Sequence, residues 1–299
     1  PATRSGSLPT VFGESMPQEN LNSDINTGFE IAIGHKNKIG EFLYDISANF
    51  STTRIKYDYV ERAASTNMYD NWRNNTNGRY KSIRWGKRVI GQFTSFEEIL
   101  NSPIQDGDGN RTLLPGDLKF EDYNSDGIID DKDTQPLGHG DTPRMYYGLN
   151  MSGEYKGFDL SILCTYSIGG KVLDGIYNTL LYGNYVGQAK SKMLERAWRN
   201  PGDITDLPRI EIGKSYIITD NSLIDASYFA IKNIALGYSL PSKWMKSIGF
   251  DSARLTATAD NVVLFNHLKG MDPQYNFTGG TNFGYVPVRT ISFGIDITF

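Results

Sequence analysis

The chain has 299 residues, of which 39% are hydrophobic and 12% aromatic, and its formal net charge is −4. The 34 acidic and 30 basic residues give none of the basic excess that marks a nucleic-acid-binding protein, so no nucleic-acid partner is expected. The single cysteine, Cys164, excludes an intrachain disulfide and a metal site built from several thiolates. No apolar stretch approaches the roughly 20 residues of a membrane helix, so a membrane location would require strands.

Alternation of apolar and polar residues predicts seven β-strands. In the second strand, Phe42, Ile46 and Phe50 share one face with other apolar residues. In the last strand, every second residue from Ile291 to Phe299 is Ile or Phe, over about the length of a tilted membrane strand. The predicted strands cover residues 26–36, 39–55, 142–155, 157–170, 226–240, 251–265 and 286–299.

Short and long connections alternate between these strands. The long ones cover residues 56–141, 171–225 and 266–286. Outer-membrane barrels have this arrangement, with short periplasmic turns and long extracellular loops, and it places the C-terminus in the periplasm. Bacterial single-chain barrels have an even number of strands, eight or more. Seven strands therefore predict a fragment, with the missing strands before Pro1, and residues 1–25 are expected to form a preceding loop or strand remnant.

The strand pattern alone also fits a soluble β-sandwich with one face in water. Two features favour a barrel. The predicted strands are longer than the roughly 5–6 residues usual in soluble domains. Their polar faces are rich in Ser, Thr, Gly and Asn, as a water-filled lumen would be, rather than in Lys and Glu. The predicted fold class is therefore all-β, part of a large antiparallel transmembrane barrel with long extracellular loops.

Within the connection at 56–141, residues 122–133 follow the spacing of an EF-hand calcium loop. Gly127 stands at position 6, where the loop turns sharply, and Ile129 at position 8 is expected to pack inward. Position 12 is Asp133 rather than Glu, which shortens its reach and predicts a weaker site. We expect a structural calcium clip, with a turn rich in Asp, Asn and Gly but without metal as the alternative. The predicted ligands are Asp122, Asn124, Asp126, the carbonyl of Ile128, Asp130 and Asp133.

The long connections contain further candidate features. The stretch from Asp106 to Asn110 is expected to be a plain turn, with a second calcium site as the alternative. Residues 191–199 predict a short amphipathic helix whose apolar side, including Trp198, packs inside its own loop; a role in docking a lipoprotein is the alternative. Aromatic side chains in these loops could contact a ligand or a lid, or could simply pack the loops. These residues are Tyr69, Trp72, Trp85, Tyr182, Tyr185, Tyr275 and Phe277.

Several segments, taken in order, resemble one known family. Residues 115–133 read PGDLKFEDYNSDGIIDDKD, and 136–138 read PLG. Residues 155–161 read YKGFDLS, 198–203 read WRNPGD, and 225–238 read DASYFAIKNIALGY. From about Asn26 to Phe299 this set resembles the C-terminal third of SusC/RagA-type TonB-dependent transporters of the Bacteroidetes. Each segment alone is weak, but the ordered set is specific.

The resemblance implies a barrel of about 22 strands around a plug, in contact with membrane lipid in the cell outer membrane. It implies import of a large nutrient, an oligosaccharide or oligopeptide, with a SusD-like lipoprotein as lid. The TonB complex would act through an N-terminal region that this chain lacks. No enzymatic activity is expected. The main alternative is a soluble, calcium-stabilised all-β surface binding module; a secreted β-rich glycan hydrolase would need a pair of catalytic carboxylates that the sequence does not offer convincingly.

Overall fold

The computed structural model describes residues 2–4, 13, 19–140, 142–173, 196–203, 205, 207–210, 217–267, 272–274 and 287–299. Within these residues the α-helices are α1 (Met68–Asn74), α2 (Phe96–Leu100) and α3 (Ser242–Ser247). The strands in chain order are β1 (Ala2–Arg4), β2 (Glu19–Ile39), β3 (Phe42–Tyr59), β4 (Ile83–Gly86), β5 (Val89–Gln92), β6 (Leu118–Phe120), β7 (Gln135–His139), β8 (Met145–Tyr155), β9 (Phe158–Ile168), β10 (Lys171–Leu173), β11 (Leu223–Asp225), β12 (Tyr228–Ser239), β13 (Ser252–Asn266) and β14 (Thr290–Thr298).

The main element is an antiparallel sheet of eight strands in the order β1-β2-β3-β8-β9-β12-β13-β14. Each long strand pairs with the long strands next to it in the chain, so the sheet is a meander. The tight turns fix the register: Ile39 pairs with Phe42, and Tyr155 pairs with Phe158. In the second turn, Lys156 and Gly157 both have positive φ, +48° and +86°, as a two-residue hairpin of the primed type requires. All seven predicted strands are present.

The sheet has one apolar and one polar face. On β14, Ile291, Phe293 and Ile295 are 62%, 83% and 67% exposed, and these side chains point to the same face. Aromatic pairs continue this face across neighbouring strands, for example Phe158 and Tyr238, whose ring centroids are 4.2 Å apart. An apolar surface that crosses the whole sheet is far larger than the scattered apolar residues of a soluble protein.

Strands β2 and β3 extend beyond their predicted bounds, whereas β8, β9, β12 and β14 are shorter than predicted. Strand β2 starts at Glu19 rather than at residue 26, and β3 continues to Tyr59. Over residues 19–25, ENLNSDI, the apolar Leu21 and Ile25 are in phase with Phe29, but Ser23 stands between them at the same phase, so the alternation is weak. The short strand β1 pairs with this extension and makes an eighth strand in the sheet, one more than predicted.

The connection between β3 and β8 folds into a compact unit on the sheet. Strand β4 pairs with β7, and β5 pairs with β6. Phe93, Ile99 and Leu113 form its small core, with exposures of 0%, 2% and 6%. The pair β10 and β11 begins and ends the connection between β9 and β12. None of the helices that the structure describes is long and apolar enough to cross a membrane.

Candidate functional site

The acidic loop at 122–133 brings side-chain oxygens from positions 1, 3 and 5 together. Asp122 Oδ1 and Asn124 Oδ1 both accept the backbone N–H of Asp126, at 3.2 and 3.1 Å. Asp122 Oδ2 accepts the N–H of Gly127 at 2.8 Å. The φ of Gly127 is +82°, a conformation that a residue without a Cβ adopts at little cost, so glycine makes this turn possible.

The end of the loop is held from inside. Asp133 is fully buried, and its Oδ1 accepts the N–H of Tyr123 at 2.9 Å, while its Oδ2 accepts the N–H of Asp130 at 2.7 Å. Ile129 is buried, as predicted, and its N–H donates to the carbonyl of Ile104 at 2.7 Å. A buried carboxylate that accepts two backbone hydrogen bonds fixes the loop without any ion.

The chemistry of this loop fits calcium, which binds to oxygen ligands. The N–H of Ile128 holds the pKa of Asp126 below its usual value, so that carboxylate is charged at neutral pH. Lys132 Nζ lies 3.8 Å from Asp126 and 3.6 Å from Asp130, and already balances part of the charge. In the part of the chain that the structure describes, no three His, Cys, Asp or Glu side chains are arranged to hold a metal. Closure of the loop around an ion, with Asp133 turned towards it, stays a prediction.

The second acidic stretch is held as a turn by its own backbone. Asp106 Oδ1 accepts the N–H groups of Asp108 and Asn110, both at 2.8 Å. Its Oδ2 accepts the N–H and the hydroxyl of Thr112, both at 2.9 Å. Partial burial raises the pKa of Asp106, but these donors outweigh it and lower the pKa to about 2. All four donors lie at residues 108–112, so the chain turns around this carboxylate. That the stretch is a plain turn rather than a second calcium site stays a prediction.

Three of the predicted aromatic residues form one cluster. The ring centroids of Tyr69 and Trp72 are 5.7 Å apart, and Trp72 meets Trp85 edge-on, also at 5.7 Å. The guanidinium of Arg79 lies 5.1 Å from the ring centre of Trp72 and 5.5 Å from that of Trp85. Trp72 is 43% exposed, so the cluster offers an aromatic surface at the edge of the loop unit. The other four predicted residues, Tyr182, Tyr185, Tyr275 and Phe277, lie outside the described residues.

The aromatic helix α1 is fixed to the end of the acidic loop. The hydroxyl of Tyr69 donates to the carbonyl of Thr134 at 3.1 Å and lies 3.4 Å from that of Asp131. Arg73 Nη1 donates to the carbonyl of Asp131 at 3.0 Å. Burial raises the pKa of the Tyr69 hydroxyl, which Arg73 opposes. The hydroxyl is therefore protonated, and a donor, at neutral pH. Sequence analysis missed this link because helix and loop are far apart in the chain.

The two longest connections interlock. Arg209 Nε lies 2.7 Å from Asp117 Oδ1, and the backbone N–H of Arg209 donates to the carbonyl of Gly116 at 3.0 Å. The ring of Trp198 covers Gly116 so closely that a Cβ there would lie 2.4 Å from it. Residues 191–195 of the predicted helix lie outside the described residues. Ala197 forms a bridge with Leu207 of its own loop, and the side chain that also packs on the other connection is that of Trp198. Its ring needs a partner without a side chain, and that glycine lies in the other loop.

The same interface continues along the strands of the loop unit. The N–H of Lys87 donates to the carbonyl of Ile218 at 2.9 Å, and the N–H of Val89 donates to Asp220 Oδ1 at 2.9 Å. The side chain of Gln92 donates to the carbonyl of Leu207 at 2.8 Å. Backbone and side-chain bonds together join the loops over several residues on each side, so the two connections form one surface above the sheet.

No family model matches the chain. It is nevertheless similar to whole-protein sequences over nearly its full length. It is 28% identical to the TonB-dependent receptor P3 of Formosa agariphila over 312 aligned residues, which cover 98% of this chain and 30% of that protein. It is 24% identical to the TonB-dependent receptor SusC of Bacteroides thetaiotaomicron, with 97% of this chain and 28% of that protein covered. The chain thus spans about 30% of the length of these relatives.

The fold has a solved counterpart. The structure of the RagAB peptide importer in its "open-open" state matches 99% of this chain and 31% of the matched chain, with a TM-score of 0.70 and 19% identity. The "closed-closed" state of the same importer gives a TM-score of 0.67. The eight-stranded sheet is not closed in the described residues, and this match shows that it has the fold of part of a larger β-barrel.

Proposed function

We propose that this chain, a homologue over nearly all of its length of SusC-type TonB-dependent receptors, forms part of the wall and loops of an outer-membrane transporter that imports a large nutrient. The observation that carries the proposal is the sheet itself. Its outer face is apolar across all the long strands, and its inner face is polar, as a barrel in a lipid bilayer requires. The nutrient class is an oligosaccharide or an oligopeptide.

The polar face suits a path for water and polar solutes. Asp159 and Arg254 form an ion pair at 2.8 Å across β12, and they pass over Gly237, where a Cβ would lie 2.4 Å from the carboxylate. Because each charge has its partner, this part of the wall holds charged groups without holding a strong net field. Transport along such a wall involves binding and release and no covalent step, so we expect no enzymatic activity.

The proposal includes two protein partners. A SusD-like surface lipoprotein would cover the interlocked loops as a lid. The TonB complex would supply energy through a region of the whole protein outside this chain. In the loops, the Trp72 surface would contact the nutrient or the lid, since aromatic faces stack on sugar rings and fill peptide pockets. Among the relatives, RagAB is described as a peptide importer.

A pair of matched lysine substitutions tests the membrane location. Ile295→Lys places a charge on the apolar face of β14, and Ser292→Lys places the same charge on its polar face. A lysine in the lipid band costs roughly 2–4 kcal/mol at the bilayer midplane. We expect the full-length protein with Ile295→Lys to be depleted from the outer-membrane fraction while Ser292→Lys resembles wild type. If both variants were equally abundant and were released from cells without detergent, the soluble binding module would be favoured.

For the acidic loop, the proposal is a structural calcium clip. Its support is the EF-hand spacing and the convergence of Asp122, Asn124 and Asp126. The ion would take the place of hydrogen bonds in ordering the loop and would pin the base of α1. Calcium titration of the full-length protein in detergent, by calorimetry, tests this. Asp126→Asn removes one ligand charge and should weaken binding at least about tenfold, since ligand charge tunes the affinity of such loops. Asp108→Asn, in the other acidic turn, is the matched control.

The two outcomes of that titration are distinct. Binding of one calcium ion that Asp126→Asn weakens and Asp108→Asn leaves unchanged would support the clip. Absence of calcium binding to folded wild-type protein would show that the loop is a metal-free turn held by Asp133. The transport proposal would stand in either case, because it rests on the sheet.

A further inference from the structure

A groove of about 530 Å³ opens on the apolar face of the sheet, near the end with the tight turns. Its walls come from β3, β8 and β9, and one residue of β12 closes it. The lining is almost entirely carbon. It includes Phe42, Tyr44, Ile46, Met151, Phe158 and Leu236.

Gly153 makes the groove. It faces the apolar side of β8 between Met151 and Tyr155, so a larger residue would fill the space. A Cβ at Gly153 would lie 3.0 Å from the edge of the Phe42 ring. Stacked rings stand on both sides: Phe42 on Tyr44 at 6.0 Å, and Phe158 on Tyr238 at 4.2 Å. Aromatic side chains at this level are typical of the girdle where a barrel meets the lipid headgroups.

A positive charge lies next to Tyr155, one of the residues that line the groove. Lys156 occupies the hairpin turn beside Tyr155, and its ammonium lies 5.3 Å from the centre of that ring. Its ion pair with Glu41, at 3.4 Å, is weak, since the two side chains are 61% and 68% exposed. The ammonium therefore remains available to a second anion.

Helix α3 begins close to this hairpin turn. The N–H of Ser239 donates to the carbonyl of Gly157 at 2.8 Å, which brings the start of the α3 segment beside the hairpin turn. Lys243 and Lys246 of α3 are exposed, and between them Trp244 is 61% exposed. Lysines next to an exposed tryptophan suit the level of the phosphate groups in a bilayer, where basic side chains are attracted to anionic lipid.

We propose that this groove binds one glycerophospholipid, with an acyl chain along Gly153 and the phosphate at Lys156. The inference rests on the proposed membrane location. The apolar lining accepts the chain, and Lys156 complements the phosphate. The groove lies at the short-turn end, which faces the periplasm in bacterial barrels, so the lipid belongs to the periplasmic leaflet.

Native mass spectrometry of the full-length protein in detergent, titrated with dioleoyl phosphatidylglycerol, tests the proposal. Lys156→Asn removes the charge and keeps the turn, because Asn before Gly is favoured in this type of hairpin. Its lipid affinity should fall about fivefold, the effect of one lysine near a phosphate surface. Gly153→Leu should abolish the bound adduct. The matched controls are Lys36→Asn and Gly34→Leu on the polar face of β2, where a Cβ at Gly34 has no neighbour closer than 3.9 Å.

Each outcome supports or overturns the proposed lipid site. One retained lipid that both test variants reduce and both controls keep supports the groove. Lipid binding that is equal in wild type and in Lys156→Asn and Gly153→Leu overturns it, while leaving the membrane location intact. A folded protein that stays in water without detergent overturns both proposals. Folding of each variant is checked beforehand by the heat-dependent shift of the barrel band on a gel, so a loss of lipid is separated from a loss of fold.

Discussion

The ion pair between Arg209 and Asp117 gives the sharpest prediction about the loops. The two side chains are 16% and 9% exposed, and Asp117 Oδ2 also accepts the N–H of Leu114 at 2.9 Å. Arg209→Met keeps an unbranched apolar stem and removes the guanidinium, which leaves the Asp117 carboxylate buried without that charged partner. Breaking a buried pair in this way costs about 3–5 kcal/mol. The lower figure applies here because Arg209 retains some contact with water.

Hydrogen exchange of the full-length protein in detergent measures this loss locally. The N–H of Leu114 donates to Asp117, and the N–H of Arg209 donates to Gly116, so both amides report opening of the interface. A cost of about 3 kcal/mol corresponds to exchange faster by roughly a hundredfold. The control is Arg111→Met, which breaks a pair with Asp108 at 3.8 Å between side chains that are 79% and 64% exposed.

Exposed pairs of this kind contribute about 0–1 kcal/mol, so the control should accelerate exchange by less than about fivefold. If Arg209→Met changes exchange no more than Arg111→Met does, the interface is not held by the buried pair. The reasoning that joins the two loops through it would then be wrong.

Three further predictions concern single positions. Gly116→Ala should open the interface between the two connections more than Gly78→Ala does. Both glycines have positive φ, +93° and +74°, but only at Gly116 would a Cβ press against the ring of Trp198. Tryptophan fluorescence and hydrogen exchange compare the two variants, and equal effects would exclude the clash. Burial and, after it, nearby cationic side chains lower the pKa of His139. The loop unit should therefore be fully stable above about pH 6.5 and lose stability as the pH falls below that value. Melting curves of wild type and His139→Gln test this, and an unchanged pH dependence in the variant would contradict it. Because the pKa of Asp106 is lowered to about 2, the turn around it should be intact above about pH 4 and should open only as the pH falls through about 2. Asp106→Ala should open the same turn at neutral pH. Proteolysis at Arg111 measures the opening in both cases.

The strands could be predicted from the sequence because their signal is local. A residue that faces lipid must be apolar and the next faces water, so alternation over ten residues is enough to place β14. The start of β2 could not be predicted in this way. Between Glu19 and Ile25 the apolar phase holds only Leu21 and Ile25, with the polar Ser23 between them, so the alternation there is too weak to define a strand start.

In the loops, too, local features could be predicted and contacts between distant segments could not. The spacing at 122–133 is local, and the turn with Ile129 buried and Gly127 at positive φ follows the prediction. The ring of Trp198 packs on a glycine of the other connection, and no local sequence pattern indicates that this glycine is its partner. The pair of Arg209 and Asp117 was equally hidden, because single charges in two polar loops look like surface residues until the fold brings them together.

The joining of the two connections bears on how loops could be exchanged between this protein and its relatives. A graft that replaces only the 56–141 connection would remove Asp117 and Gly116 and leave Arg209 and Trp198 facing a foreign surface. Exchange of both connections at once preserves every contact between them. The two connections, which are separated in the chain by β8 and β9, therefore have to be exchanged together. Chimaeras that combine one connection with a foreign partner should fail to fold their loops even when the sheet forms.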